Sequence, residues 1–138
     1  MLLDTGAGIS DVVLFAVSLA TDVLVVATPE PTSLTDAYAT IKVLATQQQR
    51  HAVRLVVNQT ARAGEGRGSR GQLQQVLDRY VAPMMQDTSQ PIRLELLGEI
   101  PTDGAVREAV QKRQLLLEAM PGCAAAQGIG MIADKLLA

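Results

Sequence analysis

The sequence predicts an α/β fold, with a mainly parallel, doubly wound sheet that carries helices on both faces. Short runs of Val, Leu and Ile, typical of strands buried on both faces, alternate along the chain with segments of helical periodicity. Only three of the 138 residues are aromatic, so the core must consist mainly of aliphatic side chains. No repeat and no linker divides the chain, and we expect one domain over residues 1–138.

The first part of the chain predicts a strand, a helix and a second strand. Residues 2–3 look like the tail of a strand whose beginning is absent. Ser10 can cap a helix that runs to about Ala20, because its hydroxyl can accept a hydrogen bond from a backbone N–H of the first turn. The β-branched run 22–27 is then a buried strand, which the prolines of TPEP at 28–31 end.

The middle of the chain predicts two helices around a further strand. Ser33 and Asp36 have the spacing of a capping box and indicate a helix start. VRLVVN at 53–58 is a buried strand, and we expect residues 61–71 to form a loop before an amphipathic helix that begins near Gln72. The apolar face of the first of these helices consists of Leu34, Tyr38, Ile41 and Ala45.

The last part predicts a strand and two helices. IRLELLG at 92–98 is the strand, and Asp103 and Arg107 are spaced to pair across one turn of the helix that follows. The dipeptide at 121–122 (Pro-Gly) breaks this helix. The apolar face of the closing helix consists of Ala125, Ile129, Ile132 and Leu136.

Composition excludes several classes of function. The formal charge of −2 argues against a generally basic, nucleic-acid-binding surface. A single cysteine, Cys123, excludes an internal disulfide and leaves no cysteine cluster for zinc. We interpret the single histidine, His51, as a solvated loop residue. The apolar stretch 12–27 is too short and too interrupted to span a bilayer, and without a signal-peptide pattern we expect a cytoplasmic protein.

Polar groups follow the predicted strands at the carboxyl edge of the sheet, where this fold class binds ligands. They are Asp4 with the glycines after it, residues 28–30, Asn58 and residues 101–103. Asp4 could hold Mg²⁺ through water while the Gly-Ala-Gly turn offers N–H groups to a phosphate, or Asp4 could only cap a turn. Asn58 could read a purine edge or occupy a turn. Asp103 could be no more than a helix N-cap.

Two phosphate-binding motifs can be set aside. Residues 66–71 spell G-x-G-x-x-G, but seven residues separate this segment from the end of its strand, whereas a dinucleotide fingerprint follows its strand directly. With Arg62, Arg67 and Arg70, we interpret the segment as a mobile basic loop. The sequence contains no G-x-x-x-x-G-K-[ST], and none of its three lysines follows a glycine, so we assign no catalytic residue.

Four motifs, taken in order, resemble the MinD/ParA group of deviant-Walker P-loop ATPases. They are DTGAGIS (4–10), TPEPTSLTDAYATIKVL (28–44), VVNQ (56–59) and LGEIPTDGAVREAV (97–110). The likeness covers essentially the whole chain. Within the group the sequence looks most like the flagellar number regulators FlhG and FleN, and it matches their carboxyl-terminal part, without the amino-terminal strands and the phosphate loop (Walker A).

The resemblance implies roles for particular residues. Asp4 would be the switch-II aspartate, which holds Mg²⁺ through water, and Gly8 would offer its amide to the γ-phosphate of ATP. Asn58 would read the adenine. Pro101 and Asp103 would belong to the segment that lines the base and ribose.

The resemblance also implies cofactors and partners. Such ATPases bind ATP or ADP with Mg²⁺, dimerise on ATP and alternate between the membrane and the cytoplasm. We expect a homodimer, flagellar or cell-division partner proteins, no nucleic-acid partner, and peripheral contact with the inner face of the membrane. We also expect the open sheet edge beside residues 1–3 to pair with a second copy. Because the phosphate loop is not in the sequence, we do not expect this chain to hydrolyse ATP by itself.

Two alternatives stay open. The chain could be a non-enzymatic interaction and dimerisation module that has lost nucleotide binding. It could instead be a ParA-like DNA partition protein, which the acidic balance disfavours and the arginines between 62 and 70 favour.

Overall fold

The computed structural model describes residues 1–138 and contains one parallel sheet of three strands, in the order β1-β2-β3. The strands are β1 (Leu24–Ala27), β2 (Ala52–Thr60) and β3 (Arg93–Pro101). The helices are α1 (Asp11–Ser18), α2 (Pro31–Gln48), α3 (Glu65–Val76), α4 (Gly104–Gln111), α5 (Leu116–Ala119) and α6 (Ala124–Leu137). A π-helical turn (Leu77–Val81) and a 3₁₀ turn (Ala82–Met84) continue α3. The predicted α/β class with an open parallel sheet is confirmed.

The predicted strand at residues 2–3 was wrong. No strand includes these residues, and the pairing of β1 is with β2 alone. A strand exists only where a neighbouring strand takes its backbone hydrogen bonds, and Leu2 and Leu3 have no such neighbour. Both side chains are exposed. The free edge that we expected beside residues 1–3 is therefore the outer edge of β1.

One face of the sheet carries the main core. Alternate β2 residues (Val53, Leu55 and Val57) point into it, and α2, α3 and the π-helical turn cover them. The fully buried Ile41 of α2 and Leu77 of the turn close this layer. The aliphatic core expected from the near absence of aromatic residues is what the structure contains.

The opposite face carries a smaller core around α6. Val56, Leu97 and Ile132 form it. Leu97 is an extra residue in β3, because Leu55 pairs with Leu96 while the next residue, Val56, pairs with Gly98. A Cβ atom on Gly98 would lie 2.7 Å from Cγ1 of Ile132, so α6 can pack this closely only where β3 has no side chain.

Helix starts agree with the sequence at α1 and differ at α2. Ser10 caps α1, its Oγ accepting from Val13 N at 3.4 Å. The predicted capping box at Ser33 and Asp36 was wrong, since α2 begins at Pro31 and Ser33 Oγ accepts from Thr28 N at 2.8 Å. Proline at the first helical position already has the helical φ angle and lacks the N–H that would need a cap.

The predicted loop over residues 61–71 was also wrong. Only 61–64 separate β2 from α3, which begins at Glu65 and contains three of the four glycines and two of the three arginines of the segment. Glycine-rich composition disfavours a helix by about 1 kcal/mol per residue, which is why the sequence predicted a loop. Contacts with β3, described below, outweigh this preference.

No helix in the structure is long and apolar enough to cross a membrane.

We predict that Gly98→Ala lowers the free energy of unfolding by about 1–3 kcal/mol, because the new methyl group must displace Ile132 from the face of the sheet. Gly130→Ala is the matched control. Gly130 lies in α6 with no atom near its Cβ position, so this change should leave stability unchanged or raise it by up to about 1 kcal/mol. Urea denaturation measures both, and equal stability of the two variants would contradict the close packing.

Candidate functional site

The carboxyl ends of β2 and β3 lie side by side and bring two predicted site segments together. Asn58 is in register with Ile100, and Thr60 with Pro101. Beyond the strands, Thr102 N donates to Thr60 O at 2.9 Å, which fixes the segment 101–103 next to the end of β2. Thr60 itself is 2% exposed. Asn58 and residues 101–103 therefore form one rigid edge.

Asn58 has a free amide donor at this edge. Its Oδ1 accepts from Gln59 N at 2.9 Å, while its Nδ2 makes no hydrogen bond within the chain. A left-handed backbone conformation, which asparagine often adopts in turns, does not explain Asn58. The residue with a positive φ angle, 57°, is its neighbour Gln59. The asparagine side chain is thus left with two N–H donors for a ligand.

Asp103 links the site to two helices. Its Oδ1 accepts from Ala105 N at 3.0 Å and so caps α4, while its Oδ2 accepts from Ala125 N, also at 3.0 Å, at the start of α6. These two hydrogen bonds, that from Ala125 first, hold the pKa of the Asp103 carboxyl below its ordinary value of 3.8. The predicted pair with Arg107 was wrong: the carboxylate is directed at the backbone N–H groups of Ala105 and Ala125, and no ion pair with Arg107 forms.

Glu99 is a structural member of the site that the sequence did not single out. Its carboxylate accepts from Gly64 N at 3.0 Å and from Gly66 N at 2.7 Å, and so caps α3 from the neighbouring strand. A Cβ atom on Gly66 would lie 2.6 Å from Glu99 Oε2. Gly66, the first glycine of the G-x-G-x-x-G segment, therefore allows α3 to contact β3 closely. The sequence offered one indication of Glu99, namely that this acidic residue stands two positions before Pro101.

The segment with Asp4 and Gly8 forms a turn of its own. Asp4 Oδ1 accepts from Gly6 N at 3.1 Å, which is a local turn. Gly6 and Gly8 have φ angles of 72° and 101°, so the turn requires glycine at both positions. No hydrogen bond or ion pair joins the segment to Asn58 or Asp103.

Residues 28–30 lie at the end of β1, where they join it to α2. Thr28 N donates to Ser33 Oγ, and Glu30 is the N-cap residue of α2. The hydroxyl of Thr28 is buried without a hydrogen-bond partner.

A groove of about 440 Å³ lies between loop 61–63, the last residues of β3 and α6. Loop 61–63 forms one wall and α6 the other, with Pro101 at the end nearest the site. The groove is lined by both polar and apolar side chains, among them Arg62, Gln127, Met131 and Lys135. It shares Thr60 and Pro101 with the edge of the sheet, whereas Asn58 and Asp103 do not line it.

The chain is similar to two flagellar proteins over almost all of its length. It is 37% identical over 136 residues to the antiactivator FleN of Pseudomonas aeruginosa, a match that covers 99% of the chain and 45% of FleN. It is 29% identical over 137 residues to the flagellum site-determining protein YlxH of Helicobacter pylori, which covers 99% of the chain and 43% of YlxH. No protein-family model matches the chain.

Among solved structures, the MinD cell division protein of Aquifex aeolicus has a similar fold. The TM-score is 0.68 at 23% sequence identity, over 96% of this chain and 50% of MinD. The resemblance to the MinD/ParA group that the motifs indicated is confirmed. The chain spans about half the length of each of these proteins, or slightly less.

We predict that Asp103 makes stability depend on pH in the acid range. Its folded-state pKa is lowered, so its carboxylate contributes stability in full above about 3.8, and this contribution is lost as the pH falls through the lower, folded-state value. Asp103→Asn should destabilise the chain at pH 7, and the difference from the wild type should shrink below pH 4. Thermal unfolding between pH 2.5 and 7 measures this.

Asp36→Asn is the control for the loss of one charge. Asp36 is exposed on α2, and its carboxylate makes no hydrogen bond. This variant should follow the wild type across the whole range. A constant difference between Asp103→Asn and the wild type down to pH 2.5 would show that the charge of Asp103 is not what holds α4 and α6.

Proposed function

From the relationship of this chain to FleN, YlxH and MinD, we propose that it is the base-binding part of a MinD/ParA-like, ATP-binding regulator of flagellar number or position. In this role Asn58 and the segment from Pro101 to Asp103 bind the adenosine portion of ATP or ADP. Asp4 approaches Mg²⁺ through water, and the Gly8 amide faces the γ-phosphate. The chain spans less than half of FleN and YlxH, so activity of the whole protein is part of the same proposal.

The observation that carries the proposal is the free amide of Asn58 beside residues 101–103. Adenine presents hydrogen-bond acceptors at its ring nitrogens and a donor at its amino group. A side-chain amide at the carboxyl edge of a parallel sheet suits such an edge. The register of Asn58 with Ile100 and the bond from Thr102 N to Thr60 O give the base a preorganised boundary.

Asp103 contributes by position. Both of its carboxylate oxygens accept from backbone N–H groups of α4 and α6, which fixes the position of the side chain. Contacts with the base or ribose would come mainly from Pro101, from the backbone of 101–103 and from Asn58. Asp103 holds these groups in place.

The phosphate and metal half of the site fits less well. Asp4 is a single exposed carboxylate, and the structure contains no group of three His, Cys, Asp or Glu side chains that could hold a metal ion. Mg²⁺ in nucleotide sites is usually bound through one or two carboxylates, waters and the phosphates together. Asp4 supplies one such carboxylate, so a magnesium ion there would depend on waters and on the phosphates of the nucleotide, and we propose no hydrolysis by the chain alone.

The proposed setting is a cytoplasmic protein that acts on flagellar or cell-division partners as a homodimer. Peripheral contact with the membrane has little support from the closing segment. Ile132 packs on the sheet, and Lys135, the segment's only cation, donates to Leu97 O at 2.7 Å. If the whole protein contacts a membrane, other residues would have to supply the anchor.

An interaction module without nucleotide binding is the second candidate, and the apolar surface of α1 favours it. Val12 and Phe15 are 78% and 67% exposed, and only Val13 of this helix is buried. A DNA partition role has less support, because Arg70 donates to Leu94 O and only Arg62 and Arg67 of the three arginines are exposed.

We predict weak, base-specific binding of adenosine and ATP. Since the chain offers contacts to the base but no phosphate loop, both ligands should bind with a Kd on the order of 0.1–1 mM, similar to each other, and more tightly than guanosine. Asn58→Asp keeps the side-chain shape but removes the N–H donors, and should weaken binding about fivefold. Ligand-detected NMR measures affinities in this range.

Gln59→Glu is the matched control, because it adds the same charge at the neighbouring, exposed residue. It should leave the affinity for adenosine within about twofold of the wild type. Equal binding of guanosine and adenosine, or equal loss in both variants, would sink the assignment of Asn58. Absence of binding at millimolar adenosine would favour the interaction module.

A further inference from the structure

The outer edge of β3 is completed by side chains of this chain. The Gln74 side chain accepts from Leu94 N at 3.0 Å, and Arg70 Nε donates to Leu94 O at 2.9 Å. Lys135 Nζ donates to Leu97 O at 2.7 Å. These are backbone groups that an added strand would need, so this edge is closed by its own fold. The groove between β3, α6 and loop 61–63 lies against this closed edge.

The groove is elongated. The residues of α6 that line it recur at helical spacing from Ala124 to Lys135, and at a rise of 1.5 Å per residue this face of the helix extends ~16 Å. The residues of β3 that line it extend from Leu97 to Pro101, which is ~13 Å of strand. The two lengths suit an extended peptide segment of about five residues.

Positive charges lie at the two ends of the groove, with apolar side chains between them. Arg62 belongs to the loop at the Pro101 end, whereas Lys135 contacts Leu97 at the other end. Neither cation forms an ion pair within the chain. Met131, which lines the middle, is 64% exposed. An occupant of this groove would therefore be anionic at both ends and apolar at its centre.

Glu99 is the only acidic residue that lines the groove, and its charge is already engaged. Its carboxylate accepts from Gly64 N at 3.0 Å and from Gly66 N at 2.7 Å, at the positive end of the α3 dipole. The side chain of Gln127 makes no hydrogen bond within the chain, so its amide is available to the backbone of a peptide. The free polar groups of the groove thus favour an anionic ligand.

We propose that this groove binds an extended acidic segment of a partner protein, with carboxylates at its two ends and an apolar residue between them. The proposal goes beyond nucleotide binding and does not depend on it, because Asn58 and Asp103 do not line the groove.

The geometry of an extended chain fixes the order of residues in such a segment. Side chains alternate between the two faces of a strand, so the first, third and fifth residues point the same way. Carboxylates at the first and fifth positions are ~13 Å apart and face Arg62 and Lys135, while an apolar third residue faces Met131. Carboxylates at the first and fourth positions would point to opposite faces.

A single-stranded nucleic acid is the competing anionic occupant. Proteins that bind single strands usually stack the bases on aromatic side chains, and no aromatic residue lines the groove. An apolar centre without an aromatic ring suits an aliphatic side chain of a peptide instead.

The test is fluorescence anisotropy of the purified chain with a labelled peptide of sequence DSLSE. We expect a Kd on the order of 0.1 mM in low salt, and weaker binding as sodium chloride is raised to about 0.5 M. The uncharged peptide NSLSQ and the four-residue peptide DSLE should each bind at least about fivefold more weakly. DSLE keeps both carboxylates but directs them to opposite faces.

Two variants of the chain locate the binding. Arg62→Gln removes one of the two cations and should weaken the binding of DSLSE about fivefold. Met131→Asp places a like charge at the centre of the groove and should weaken it at least about tenfold. Arg67→Gln is the matched control, since Arg67 is exposed on α3 and does not line the groove, and should stay within about twofold of the wild type.

Circular dichroism and urea unfolding establish that the variants remain folded. No saturation with DSLSE at millimolar concentration, or equal affinity for NSLSQ or DSLE, would overturn the proposal. Tighter binding of a thymidine oligonucleotide than of DSLSE would assign the groove to nucleic acid. Equal effects of Arg62→Gln and Arg67→Gln would place the peptide elsewhere. Adenosine binding to Met131→Asp should match the wild type, which separates this result from the proposed function.

Discussion

A parallel sheet needs cover on both faces, and this constraint organises the molecule. The helical layer of α2 and α3 covers one face, and α6 covers the β3 side of the other. Polar side chains of α3 and α6 close the outer edge of β3. The outer edge of β1 and the part of the second face above it are left uncovered. The apolar helix α1 keeps most of its surface in solvent.

The carboxyl edge of the sheet is held by two carboxylates that cap helices from outside those helices. Glu99 of β3 caps α3, and Asp103 caps both α4 and α6. An unsatisfied N–H group at the start of a helix is costly when it is withdrawn from water, and a carboxylate there also interacts favourably with the helix dipole. Because Glu99 and Asp103 lie four residues apart at the end of one strand, three helix starts are fixed relative to that strand. The rigidity that a ligand site needs is built from these caps.

Patterns that depend on neighbours in sequence predicted the fold well. The runs 53–58 and 92–98, the Ser10 cap and the closing helix follow from hydrophobic period and capping chemistry, and each is found where it was expected. Features that depend on contacts between residues far apart in the sequence could not be predicted from local patterns. The start of α3 needs Glu99 from 33 residues further along the chain, and the strand expected at 2–3 needs a neighbour that no local pattern reports. For the site, sequence motifs indicated Asn58 and Asp103, but only the structure shows that Asp103 accepts hydrogen bonds from the starts of two helices.

The base-binding half of the candidate site and the phosphate-binding half differ in how firmly this chain holds their residues in place. Asn58 and the segment 101–103 are held by the β-ladder, by Thr60 and by two helix caps, so a base would meet groups already in place. Asp4 and Gly8 are held only by a local turn, and their segment is exposed. Groups ordered before binding cost little conformational entropy when a ligand arrives, whereas an exposed glycine turn must be ordered at that moment. Under the proposed function, recognition of the base is therefore a property of this chain. Tight binding of the phosphates would require a further surface that orders residues 4–8.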